Sequence, residues 1–219
     1  MREAELFAAI QKGDADTAKA LLAAEPALAG ARNANGVSAL ILARYSNLKG
    51  VTEAIHEARP ELDVFEAATF GDVARLQALL DADPASVNAR SGDGGTALHF
   101  SCFFGQPECA RELVQRGADL HAVAAAFGNV QPLHSAAAGR SAEIVKILLE
   151  AGADPKVKQG HGWTALHSAA QHGDADMSQT LLQHGADGSA KADNGQTPLD
   201  LARAGGHAAV AALLESAGG

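Results

Sequence analysis

Cysteine is nearly absent from this chain. Cys102 and Cys109 are the only two in 219 residues, too few for the disulfide framework of a small secreted domain. Aromatic residues are scarce at 4%, so bulky rings do not build most of the interior. No stretch approaches the roughly 18 uncharged apolar residues of a membrane span. Basic clusters are missing too: 17 Lys and Arg against 26 Asp and Glu leave a net charge of −9, which repels a phosphate backbone. A direct nucleic-acid partner is not expected, nor is a membrane partner. Met1-Arg2-Glu3-Ala4-Glu5 carries acids and no apolar run, so no secretory leader is expected and the compartment is read as cytoplasmic.

The signatures of chemistry are missing as well. Gly92-Asp93-Gly94-Gly95 is glycine-rich but lacks the Lys-Ser/Thr that completes a phosphate loop. There is no Ser-His-Asp order, no paired-acid motif and no His-Glu-x-x-His. No enzyme activity and no cofactor are expected. Cys102 and Cys109 fall at core-facing positions, the setting of inert reduced thiols rather than of an activated nucleophile.

What is present is a repeated stretch. Thr164-Ala165-Leu166-His167-Ser168-Ala169-Ala170 echoes Thr96-Ala97-Leu98-His99, Pro132-Leu133-His134-Ser135-Ala136-Ala137 and Thr197-Pro198-Leu199-Asp200. The shared leucines Leu98, Leu133, Leu166 and Leu199 lie 35, 33 and 33 residues apart. Leu6, Leu40 and Val64 extend the series toward the N-terminus. A glycine follows seven residues after several anchors (Gly13, Gly71, Gly105, Gly173), where a turn between two helices wants positive φ. Asn47 stands in for it once, and Arg140 occupies it once with Gly139 one place early. Gly117-Ala118-Asp119, Gly152-Ala153-Asp154 and Gly185-Ala186-Asp187 each close a second helix.

A period near 33 carrying T-x-L-H-x-A is the signature of ankyrin arrays, and the chain resembles the ankyrin repeat family over nearly its whole length. The resemblance implies an all-α, α-rich solenoid of seven helix–turn–helix units joined by β-hairpin fingers. The units fall at 1–33, 34–60, 61–93, 94–126, 127–159, 160–192 and 193–219, in a single domain. Val64 follows Leu40 by only 24 residues, so the finger between units two and three is expected to be missing or stunted, with Arg59-Pro60-Glu61-Leu62 as a direct link. The finger after Asp119, two residues longer than its neighbours, should protrude at Ala124–Gly128. Asp200 replaces histidine in the last unit, which reads as a cap.

The resemblance also assigns His99, His134 and His167 to structural hydrogen bonds within and between repeats. Spaced one repeat apart, they cannot converge on one zinc ion. A weaker metal alternative pairs His161 with His172.

Function follows from where the rings sit. The family binds partners on a concave side made of finger tips and first helices. In this register Tyr45, Phe70, Phe100, Phe103, Phe104, Trp163 and His172 map to that side, with Phe127 in the long finger. The expectation is a non-catalytic protein–protein interaction module, its acidic surround favouring a basic rim on the partner. Two alternatives stand beside it: a small-ligand or metal-binding regulator using the histidine-bearing fingers, and a self-associating structural protein whose rings form a dimer interface. A competing reading of the rings is that the shortened finger lets the stack curl and they fill the space.

Overall fold

The computed structural model describes residues 2–58 and 61–217. Fourteen α-helices succeed one another in pairs among the described residues: α1 (Arg2–Lys12) with α2 (Ala15–Ala24), α3 (Ala39–Tyr45) with α4 (Lys49–Ala58), α5 (Val64–Phe70) with α6 (Val73–Ala82), α7 (Ala97–Phe103) with α8 (Pro107–Gln115), α9 (Pro132–Ala138) with α10 (Ala142–Glu150), α11 (Ala165–His172) with α12 (Ala175–Gln183), and α13 (Pro198–Ala204) with α14 (Ala208–Ala217). Helices this short are marginal alone. They persist because each pair buries an apolar face against the next. The anchors Leu6, Leu40, Leu98, Leu133 and Leu166 are at most 1% exposed.

Each pair is set by local chemistry. Asp14, Asp72 and Asp174 cap α2, α6 and α12, accepting from the backbone N–H of Thr17, Arg75 and Met177, which satisfies an otherwise orphaned donor. The turn position keeps its left-handed backbone even without glycine, at φ 55° in Asn47 and 58° in Arg140. The helix–helix turn of unit five is therefore intact. Gly139 serves a different end: a Cβ there would lie 2.4 Å from the Phe103 carbonyl oxygen, so its hydrogen lets α9 approach α7.

Histidines tie one unit to the next. Nδ1 of His99, His134 and His167 accepts from the backbone N–H of Thr96, Gln131 and Thr164 at 3.1–3.2 Å. Nε2 must then carry the proton, and it donates to the carbonyls of Val130, Val157 and Gln196 in the following finger at 3.1–3.3 Å. Burial holds all three below the usual histidine pKa, His134 at about 4. Asp200 makes only the first half of this arrangement, accepting from the Thr197 N–H and hydroxyl. Cys102 and Cys109 are free and buried; burial pushes the Cys109 thiol up to about 12, so both are inert.

The fingers are more loosely built than β-hairpins. Two isolated antiparallel bridges, Arg32 with Ser38 and Ala124 with Val130, are their strand pairings among the described residues. Turns close the rest.

One junction departs from the regular stack. α4 ends at Ala58 and α5 begins at Val64, leaving no room for a finger; Arg59 and Pro60 of the expected link lie outside the described residues. The second helices pack in sequence, α2 on α4, α6 on α8, α8 on α10, α10 on α12 and α12 on α14, and the run is interrupted between α4 and α6. On the finger side the gap closes. The turn at Asn35-Gly36 lies directly on the turn at Gly92, where an added Cβ would fall 1.1 Å from the Asn35 carbonyl oxygen. Arg32 supports the closure with an ion pair to Asp63, the N-cap of α5.

Candidate functional site

The closed junction brings the aromatic residues together. Tyr45, last residue of α3, has its ring centroid 5.0 Å from Phe104, 5.5 Å from Phe103, 6.2 Å from Phe127 and 6.3 Å from Phe100. Phe103 and Phe104 meet edge to face at 5.2 Å. Tilted and perpendicular contacts of this kind suit the ring quadrupoles. Tyr45 thus packs on unit four and its following finger, across the intervening unit three.

The rings do not share one fate. Phe100 is 1% exposed and packs edge-on against Phe65 at 5.8 Å. It is a core residue, not the exposed binding ring expected of it, because the missing finger lets Tyr45 close over it. Tyr45, Phe70, Phe104 and Trp163 are half-buried. Desolvation drives the Tyr45 hydroxyl pKa upward, with Asp93 adding to the effect. Trp163 lies against the His167 ring at 5.7 Å, away from the cluster. Phe103 and Phe127 stay out, at 39% and 43% exposed. Of the long finger expected to protrude, residues 125–128 are exposed, with positive φ at Gly128 and Asn129, but Ala124 is buried because it pairs with Val130 at the finger's base.

Between them the rings frame a pocket of about 420 Å³. Tyr45, Phe100, Phe103, Phe127 and Val130 supply its apolar walls, and His99, His134, Ser135 and Gln159 line the remainder. Val130, Ser135 and Gln159 were not legible as site residues, since only the stacking of α7, α9 and two fingers gathers them. The two histidines have both ring nitrogens engaged and are held neutral, so the lining carries no charge. Such a cavity accepts an uncharged, apolar group.

The histidine alternative finds less. His161 sits exposed in its finger at φ 63°, and His172 is exposed at the end of α11. No group of three or more His, Cys, Asp or Glu side chains gathers as a metal requires among the described residues.

Residues 64–159 and 133–219 each match a family model described as ankyrin repeats (3 copies). The chain belongs to the ankyrin repeat family. Ankyrin repeats are in general non-catalytic protein–protein interaction modules. Similar proteins include the rat ankyrin repeat and SAM domain-containing protein 6, 38% identical over 109 residues, which is 50% of this chain and 12% of that protein. The human SMC5-SMC6 complex localization factor protein 1 is 32% identical over 114 residues, 52% of this chain and 10% of that one. The fruit-fly (Drosophila melanogaster) palmitoyltransferase Hip14 is 28% identical over 104 residues, 48% of this chain and 16% of it. The chain therefore matches only a small part of the length of each of these relatives. No helix among the described residues is long and apolar enough to cross a membrane.

Proposed function

We propose that this ankyrin array is a non-catalytic module that binds a protein partner on its concave side, at the aromatic face of units two to four. The carrying observation is the pair Phe103 and Phe127, both exposed and both lining an uncharged, largely apolar pocket. Burying one phenylalanine stabilises by about 1.5–3 kcal/mol, so two held in water beside a cavity favour an occupant that covers them. Aromatic anchors at the centre of an interface carry much of its energy. Tyr45 lines the pocket and Phe104 backs its ring at 5.0 Å, while Phe70, Trp163 and His172 lie outside the lining.

The test is capture with the wild-type chain and with the double variant Phe103→Ser/Phe127→Ser. A specific protein retained by the wild type and lost from the variant, at unchanged melting temperature, supports the reading. An identical captured set removes it. A concentration-dependent dimer abolished by the same substitutions would transfer the face to a second copy of this chain.

A further inference from the structure

Unit two carries a charge where its sister units carry core. The residues four after each anchor are Ile10, Arg44, Ala68, Cys102, Ala137, Ala170 and Arg203. Ile10, Ala68, Cys102, Ala137 and Ala170 are fully buried. Arg203, in the last helix pair, is matched by Glu215 at 2.7 Å. Arg44 has no such counter-ion among the described residues.

Its guanidinium is instead held between two rings, with Cζ 5.9 Å from the Phe70 centroid and 5.6 Å from that of Phe104. These cation–π contacts fix the position of the group but use none of its N–H donors. Nε is buried and lacks a hydrogen-bond partner among the described residues, and no carboxylate there lies within ion-pair distance. Of the described arginines only Arg44 and Arg140 lack any polar partner, and Arg140 is exposed. That is an unusual economy in a chain with 26 acids.

Beside Arg44 lies a polar cavity of about 230 Å³, bounded by Arg44, Asn47, Lys49, Thr52, Glu53 and Phe70. Lys49 is a second cation without an ion pair among the described residues. Glu53 is the one acid on the rim; it is exposed and pairs with neither cation.

We propose that Arg44 and Lys49 form a receptor for an oxyanion brought by the partner, either a carboxylate or a phosphate group. The planar fork of a guanidinium matches two oxygens of such a group. Held between rings, it loses little freedom on binding. Lys49 adds a point charge, and the chain's distant acids are screened beyond about 10 Å at ordinary salt. Phe104 connects the two sites, touching Arg44 on one side and the Tyr45 ring at 5.0 Å on the other. The partner would thus present an apolar group and an anion side by side, where net charge alone had pointed to a basic one. The inference rests on the protein-binding reading above.

The full-length ¹⁵N-labelled chain is titrated with acetate and, separately, with inorganic phosphate, at ionic strength kept constant with chloride. The Nε–H resonance of Arg44 and the backbone amide of Thr52 are followed. A saturable shift with acetate supports an acidic side chain or chain terminus as the source. A response to phosphate alone supports a phosphorylated residue. Arg44→Met should abolish the Thr52 shift, and Glu53→Gln, which removes the rim acid, should tighten binding about 2- to 5-fold. No saturable shift with either anion, or an unchanged Thr52 shift in Arg44→Met, overturns the proposal. This readout needs no partner, so its failure is separable from a failure of the Phe103 and Phe127 variants in capture.

Discussion

Tyr45 and Phe104 stand 5.0 Å apart, ring to ring, although a complete helix pair, α5 and α6, separates them in the chain. In a regular stack each unit touches only its neighbours. Here the omission of one finger lets the turn at Gly36 close on the turn at Gly92, and the ends of α3 and α7 follow. The aromatic face is a product of that omission.

The closure is testable at Gly92. An alanine there would place its Cβ on the Asn35 carbonyl, forcing two backbones apart. Gly92→Ala should cost about 1–3 kcal/mol, the range of overpacking a tight contact. Gly94→Ala meets no atom within 4 Å but sits at φ 83°, so it should cost about 1 kcal/mol through backbone strain. Urea unfolding of both variants decides; a smaller loss at Gly92 than at Gly94 would contradict the finger contact.

The turn of unit five offers a gain. Arg140 holds φ 58°, a conformation that costs an ordinary residue roughly 1–2 kcal/mol. Arg140→Gly relieves this at some entropic cost in the unfolded chain, for a net stabilisation of about 0.5–1 kcal/mol. Gly139→Ala, one residue earlier, should destabilise, because its methyl meets the carbonyls of Phe103 and Cys102 at 2.4 and 2.7 Å. Thermal melts of the two variants should move in opposite directions.

The histidine ties predict acid lability. His134 falls from 6.5 in the unfolded chain to about 4 in the fold because it is buried. The unfolded chain therefore binds the extra proton first, and stability falls as pH drops below 6.5, with the loss complete once pH is under about 4. Linkage makes this on the order of 3 kcal/mol for His134, with His99 and His167 adding in the same direction. An NMR titration of His134 with a midpoint near 6.5 would remove this account.

Tyr45 should act through its ring and not its hydroxyl, which has no hydrogen-bond partner among the described residues. Tyr45→Phe is expected to stay within about 0.5 kcal/mol of wild type. Tyr45→Ala removes four ring contacts and should cost about 2–4 kcal/mol, toward the aromatic-to-alanine range for a half-buried site. Equal effects from the two substitutions would mean the ring cluster contributes nothing to holding unit two on unit four.

The units themselves were legible because their determinants are local. Anchor leucines, the turn position seven residues on and the Thr–His pairs all act within one unit or reach one unit ahead. The short spacing from Leu40 to Val64 also announced the lost finger. Arg44 was legible in principle, as a cation at a position otherwise given to Ile10, Ala68, Cys102, Ala137 and Ala170, but register alone does not say what surrounds it.

By itself, then, the sequence determined the helix pairs, their caps and turns, their stacking order and the site of the break, since each depends on residues a few positions or one period apart. Only the tertiary structure decided which rings are core and which are exposed. It buried Phe100 beneath Tyr45, left Phe103 and Phe127 in solvent around a pocket, and caught Arg44 between Phe70 and Phe104. Those outcomes depend on how closely units two and four meet across the lost finger, and that approach is set by packing between units that are not neighbours in the chain.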